Sequence, residues 1–236
     1  NVVRKAGWDK CGGNIMPGWR LHPSRLPEQV RRPVGGGVVR FVGDIPPDAP
    51  FPHENSVPPP AWQSFVEGRS PLTLPANQRV VVLWDLDQYH TAYPELTVSG
   101  GRGGRVRIEW AESCYVATGE EKGKAAHRKE NRNEIVGKYF RGNGDTFLPD
   151  GPERTFRAFW WRAGRYLRLQ VETGDEPMTL QKIVLHESRM PLENESLFAC
   201  DDTEFAPIVD LSVRGIQMCA HETYMDCPYW EQLQYV

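Results

Sequence analysis

The stretch Arg79-Val80-Val81-Val82-Leu83-Trp84-Asp85-Leu86 decides the fold class. It is β-branched and apolar throughout its middle, and long enough for a buried strand. Just downstream, Glu95 to Val98 and Arg105-Val106-Arg107-Ile108-Glu109-Trp110 flank the run Gly100-Gly101-Arg102-Gly103-Gly104. The second flank alternates charged and apolar side chains, the period of a half-buried antiparallel strand. Two strands around a Gly-rich turn predict a hairpin. Phe156 to Trp161 and Tyr166 to Glu172 repeat the alternation and predict a second hairpin, turning at Gly164. Ile183-Val184-Leu185 adds a last strand, and the charged insertion from Gly119 to Asn133 reads as a solvated loop. Five or six such strands predict an antiparallel sandwich of jelly-roll type over residues 78–199.

Upstream, residues 1–77 read as an irregular segment that wraps the surface. Pro-Gly pairs, Gly35-Gly36-Gly37 and the stretch from Pro46 to Pro60 leave little room for a ladder or helix. Val38 to Val42 is the one credible strand there. Gly (22) and Pro (20) are both abundant, and eight Trp and eight Tyr accompany them, as in a chain of short strands and turns. Adjacent Trp160 and Trp161 on a strand would point to opposite faces, either one core and one open to sugar, or both core.

Past Cys200 the period becomes helical. Asp201 and Asp202 suit an N-cap, and Phe205, Ile208, Val209, Val213, Ile216 and Ala220 recur at spacings of three and four. These predict one helix from Thr203 to Tyr224, closed before Pro228. Its apolar face needs cover. A helical domain that begins at residue 200 and continues past Val236 is the expected source.

The 236 residues carry a formal charge of -3, with 28 Lys plus Arg against 31 Asp plus Glu. That balance gives no case for a nucleic-acid partner. No apolar run approaches the roughly 20 residues of a membrane span, so no membrane partner is expected. Five cysteines without a CxxC pair exclude a complete disulfide framework and argue against structural zinc, so no metal or other cofactor is expected. Asp85, Asp87 and His90 could approach a cation, but no oxygen-rich calcium loop accompanies them.

The densest chemistry lies in His221-Glu222-Thr223-Tyr224-Met225-Asp226-Cys227-Pro228-Tyr229-Trp230-Glu231-Gln232-Leu233-Gln234-Tyr235. Glycoside hydrolysis needs one carboxylic acid to protonate the leaving oxygen and a second carboxylate for water or the anomeric carbon. Aromatics beside a carboxyl stack on sugar faces and, by desolvation, help it hold a proton. Glu231, after Tyr229 and Trp230, is the candidate acid. Asp226 is placed to bond substrate hydroxyls, and Trp230 and Tyr235 to face the sugar.

Asp226-Cys227-Pro228, with Glu231 in the same segment, resembles the Asp-Cys-Pro-x-Arg-Glu-Arg-x-Gly-Trp signature of the bacterial α-L-rhamnosidase family of glycoside hydrolases. Asp85-Leu86, Gly142-Asn143-Gly144-Asp145 and Trp160 to Tyr166 resemble the sandwich that precedes that family's catalytic domain. The resemblance implies a multidomain enzyme with a barrel of paired helices, cleaving terminal α-L-rhamnose with inversion. Its general acid falls on Glu231 and its rhamnose-binding Asp on Asp226. Its base is a far-downstream glutamate, so residues 200–236 would be only the opening of the barrel, this chain alone would be inert, and its partners would be a carbohydrate substrate and the remaining domains. The sequence departs where the family's Arg before the acid is Trp230 and its Gly-Trp pair is Gln234-Tyr235, which opens the preference to a related deoxy or uronic sugar. A non-catalytic carbohydrate-binding sandwich, or one that braces a neighbouring domain, is the alternative.

Overall fold

The computed structural model describes residues 10–11, 14–15, 23–116 and 128–235. Two short strands, β1 (Lys10–Cys11) and β2 (Asn14–Ile15), pair with each other. The remaining elements in chain order are β3 (Pro33–Val34), β4 (Val38–Gly43), α1 (Pro60–Val66), β5 (Leu72–Leu74), β6 (Arg79–Gly100), β7 (Arg105–Ala111), β8 (Tyr115–Val116), β9 (Lys138–Tyr139), β10 (Asn143–Phe147), β11 (Gly151–Arg157), β12 (Arg162–Glu172), β13 (Met178–Glu187) and α2 (Phe205–Met218).

The stretch at Arg79 is the first half of one strand, β6, that runs unbroken to Gly100. Its first half pairs with β4 and β12, and its second half with β11 and β13, all antiparallel. A strand shared in this way is the spine of the sandwich. Val82, Trp84 and Leu86 from the first half meet Leu96 and Val98 from the second in one buried core, with Ile108, Leu167, Leu169 and Leu180. Asp87, at a φ of 68°, sits between the two halves.

Both predicted hairpins are corrected. β7 pairs with β10 and β12, not with the strand before it. The glycine run instead carries the chain from one layer to the other, with Gly100 and Gly101 at positive φ against Pro177 and Met178. Likewise β11 pairs with β6, and Gly164 lies inside β12 at a register shift. A Cβ on Gly164 would stand 2.6 Å from the Ala111 carbonyl oxygen, at a φ of 153°. The glycine is therefore a point of close strand approach, not a turn.

The segment before Gln78 contributes more order than its prolines predict. The strand expected at Val38 is β4, and β3 and β5 add to β13. Helix α1 begins at Pro60, where the missing amide hydrogen would have had no helical partner anyway. Its Trp62, Phe65 and Val66 are buried in the sandwich core. A second cluster, Phe41, Phe51, Ile135, Phe140 and Tyr166 among others, covers the outer face of the β4–β6–β12 layer. The charged insertion expected from Gly119 lies outside the described residues as far as 127. Its end at Arg132 and Asn133 accepts hydrogen bonds from Tyr166 and Arg165.

Helix α2 is shorter than predicted. It starts at Phe205, with the Asp202 carboxylate accepting the Glu204 amide at 3.0 Å, and ends at Met218. The chain then turns, the Met225 amide donating to the Cys219 carbonyl and the His221 amide to the Thr223 carbonyl. Pro228 therefore lies in a loop well past the helix end. Ile208, Leu211 and Ile216 on the helix are more than half exposed. No helix among the described residues is long and apolar enough to cross a membrane.

Candidate functional site

The terminal loop is anchored by an aromatic side chain that sequence reasoning left unassigned. Tyr229 is buried with Trp161 and Ala163, against Tyr89, Tyr93 and Met225. Its hydroxyl donates to the Trp110 carbonyl at 3.1 Å. With Tyr229 fixed to the sandwich, the loop closes on itself. The Asp226 amide donates to the Leu233 carbonyl at 2.9 Å, the Leu233 amide returns to Asp226 Oδ1 at 3.1 Å, and the Gln232 amide donates to the Cys227 carbonyl.

This closure brings the predicted residues together. Asp226, Cys227 and Glu231 offer side-chain ligand atoms all within 4.8 Å of one another. The Asp226 and Glu231 carboxyls face each other at close range. That pairing is the largest cause holding Asp226 well below the usual carboxylate range, with the Cys227 thiol and the Leu233 amide adding to it. The same pairing raises Glu231, against a smaller opposite pull from Tyr235, whose hydroxyl donates to Glu231 Oε2 at 3.0 Å. Neighbouring carboxyls disfavour each other's ionisation, so of the two Glu231 is the one that binds a proton more readily. Cys227 Sγ donates to Asp226 Oδ2 and accepts the Glu231 amide, which makes it a brace of the pair.

This is the sole grouping among the described residues whose donors could surround a cation. Its atoms are already committed to each other, an arrangement suited to a shared proton. Asp85, in contrast, is fully used by structure: its carboxylate takes Arg165 at 2.7 and 2.9 Å, Arg40 at 3.0 Å and the Asp87 amide at 2.9 Å. That leaves it no oxygen free for a cation shared with Asp87 and His90.

Trp230 is 52% exposed and Tyr235 67%, both beside the acid pair. Trp160 and Trp161 precede β12 instead of lying on a strand, so their rings do not oppose each other. They stack at 5.9 Å, Trp161 buried and Trp160 54% exposed. Trp160 Nε1 donates to Gln232 Oε1 at 2.8 Å, tying this aromatic pair to the residue after Glu231. Beyond them opens a groove of about 890 Å³ between the segment Ser24–Arg31 and the turn at His221. His221 was indistinct in the sequence because its role depends on Trp161, distant in the chain. Adjacent aromatics before a strand were the available signal.

No protein-family model and no curated protein sequence matches the chain. Among solved structures it is similar to the GH78 family rhamnosidase of Bacillus sp. GL1, at 18% identity and a TM-score of 0.54, over 76% of this chain and 17% of that one. It is also similar to a rhamnosidase from Klebsiella oxytoca with rhamnose bound, at 12% identity and a TM-score of 0.60, over 87% of this chain and 38% of that one. The chain thus spans well under half the length of either protein. At such identities the likeness establishes the fold: a mainly β antiparallel sandwich with two helices, matching the sandwich domain of GH78 rhamnosidases.

Proposed function

We propose that this chain is part of a glycoside hydrolase that removes terminal α-L-rhamnose, or a related deoxy or uronic sugar, by an inverting acid–base mechanism. Glu231 is the general acid. The observation that carries this reading is its close pairing with Asp226, which raises the proton affinity of Glu231 and lowers that of Asp226. In the reaction Glu231 gives a proton to the departing glycosidic oxygen as the bond to the anomeric carbon breaks.

Inversion also needs a base about 6.5–9.5 Å from the acid, with a water between them. Asp226 is too close to Glu231 to be that base. Its place is at the sugar hydroxyls and on the acid, with the base supplied from elsewhere in the polypeptide. Trp230 offers an exposed ring face to the sugar, and Tyr235 orients Glu231. Residues 78–199 form the sandwich module, residues 1–77 wrap it, and residues 200–236 open the catalytic helical domain. The exposed apolar side chains of α2 favour such a neighbour. The rhamnose bound in the Klebsiella oxytoca structure makes rhamnose the first sugar to try.

A second reading, a non-catalytic carbohydrate-binding sandwich, has the exposed Trp160 ring in its favour. The two separate in one experiment: hydrolysis of a panel of aryl glycosides, α-L-rhamnoside included, by the complete gene product and its Glu231→Gln variant. Cleavage of one sugar, lost by roughly 100-fold or more in the variant, supports the acid. Binding without cleavage, or equal rates, favours the second reading.

A further inference from the structure

Gln232, the residue after Glu231, stands in the left-handed backbone region at a φ of 56°. A Cβ disfavours that conformation, and Asn and Asp adopt it more readily than Gln. Such a residue persists where its surroundings over-determine it. Here three hydrogen bonds do so. The Gln232 amide donates to the Cys227 carbonyl at 3.1 Å, and its side-chain Nε2 donates to the Pro228 carbonyl at 2.9 Å. Its Oε1 accepts Trp160 Nε1 at 2.8 Å. One side-chain amide thus spans from the start of the acid-bearing loop to the segment that leads into β12.

The backbone reversal decides what Glu231 faces. Because the chain turns at Gln232, Leu233 returns to Asp226, its carbonyl accepting the Asp226 amide and its own amide donating to Asp226 Oδ1. The closed loop then holds Asp226, Cys227 and Glu231 within 4.8 Å of one another. Among the described residues, Asp226 and Tyr235 are the titratable groups that face the Glu231 carboxyl, and Cys227 Sγ accepts its amide. Trp160 is the far anchor of this arrangement. Its ring stacks on Trp161, and Trp161 on His221, so its N–H is aimed at Gln232 by rings seated on the sandwich.

We infer that Gln232 is a positioning residue for Glu231, and that Trp160 serves the acid through it: the indole N–H grips the Gln232 side chain, and the left-handed turn so steadied holds the Glu231 carboxyl against Asp226. The use of this positioning in hydrolysis rests on the reading of Glu231 as the acid. Loosening the turn would draw the two carboxyls apart and weaken the charge that raises Glu231.

Carboxyl-carbon NMR of the glutamate-labelled chain tests the inference, with the Glu231 signal identified by Glu231→Gln. Gln232→Met keeps the length of the side chain and removes both of its hydrogen bonds. Trp160→Phe keeps a ring against Trp161 and removes the donor. Gln232→Gly takes the left-handed backbone freely and isolates the loss of the side chain, should Gln232→Met not fold; melting curves report folding. The expected result is a Glu231 titration midpoint lower by roughly half a pH unit or more in each folded variant. The double variant Gln232→Met with Trp160→Phe is expected to shift no further than Gln232→Met alone, since one bond links the two residues. An unmoved midpoint in the folded variants overturns the positioning role, and a double shift equal to the sum of the single ones overturns the link to Trp160. Hydrolysis by the complete gene product separates the two readings: a moved midpoint with equal rates for parent and Glu231→Gln would keep Gln232 as the positioner of Glu231 and remove Glu231 as the acid.

Discussion

Trp161 and His221 lie face to face, their ring centroids 4.1 Å apart and their planes 12° from parallel. This stack joins the sandwich to the turn that leads into the acid-bearing loop. It also explains how a histidine with unpaired nitrogens is kept buried.

Such a histidine makes stability depend on pH. Burial holds His221 at a pKa of about 4 in the fold, below its ordinary 6.5. The unfolded chain therefore binds the extra proton across that window, and stability falls as pH drops from about 6.5 to 4. His221→Phe removes this contribution and leaves that of His90, which burial also lowers to about 4. Thermal melting between these two pH values is expected to be flatter for the variant, with a higher melting temperature at the acid end.

Asp85 acts in the opposite range. Burial pushes its pKa up, but hydrogen bonds from Arg165, the Asp87 amide and Arg40 outweigh that and hold it below the usual carboxylate range. Its contribution is present above the unfolded pKa of about 3.9 and is lost as pH falls through the lower folded value. Asp85→Asn leaves two arginines short of a counter-charge, so a loss of about 3 kcal/mol in denaturant unfolding at neutral pH is expected.

Gly164 is held at a backbone angle and a strand spacing that only glycine meets cheaply. Gly164→Ala forces β12 away from Ala111, and unfolding measurements are expected to show a loss of about 2 kcal/mol or more. An equal alanine at Gly68, where a Cβ would meet nothing, is the control for packing, since it shares the positive φ.

Asp226 is expected to tune the acid. The neighbouring Asp226 carboxylate raises Glu231, so removing its charge lets Glu231 lose its proton at lower pH. In the rate–pH profile of the complete gene product, Asp226→Asn is expected to move the alkaline limb toward lower pH. An unmoved limb would mean that the pair does not share a proton.

Much of the sandwich was legible from the apolar runs at 79–86 and 183–185 and from the alternation in β7 and β12, because these strands set side chains on a buried core. Pairing was not. The glycines at 100–104 and at 164 look alike in sequence as turns, yet one set carries the chain between layers and the other permits two strands to approach. Helix α1 was hidden by a run of prolines of which the last, Pro60, is its first residue. Within the site, Asp226 and Glu231 stood out because their spacing needs only a local loop. The anchoring by Tyr229 on Trp110, and the stack of His221 on Trp161, are long-range and leave no local pattern.

The role of Glu231 is tested most sharply by leaving-group dependence in the complete gene product. A dinitrophenyl leaving group departs without a proton, whereas a sugar or alkyl oxygen needs one. Glu231→Gln is expected to lose roughly 100-fold or more on α-L-rhamnosyl glucose and far less on dinitrophenyl α-L-rhamnoside. An equal loss on both substrates, or none on either, would contradict Glu231 as the proton donor.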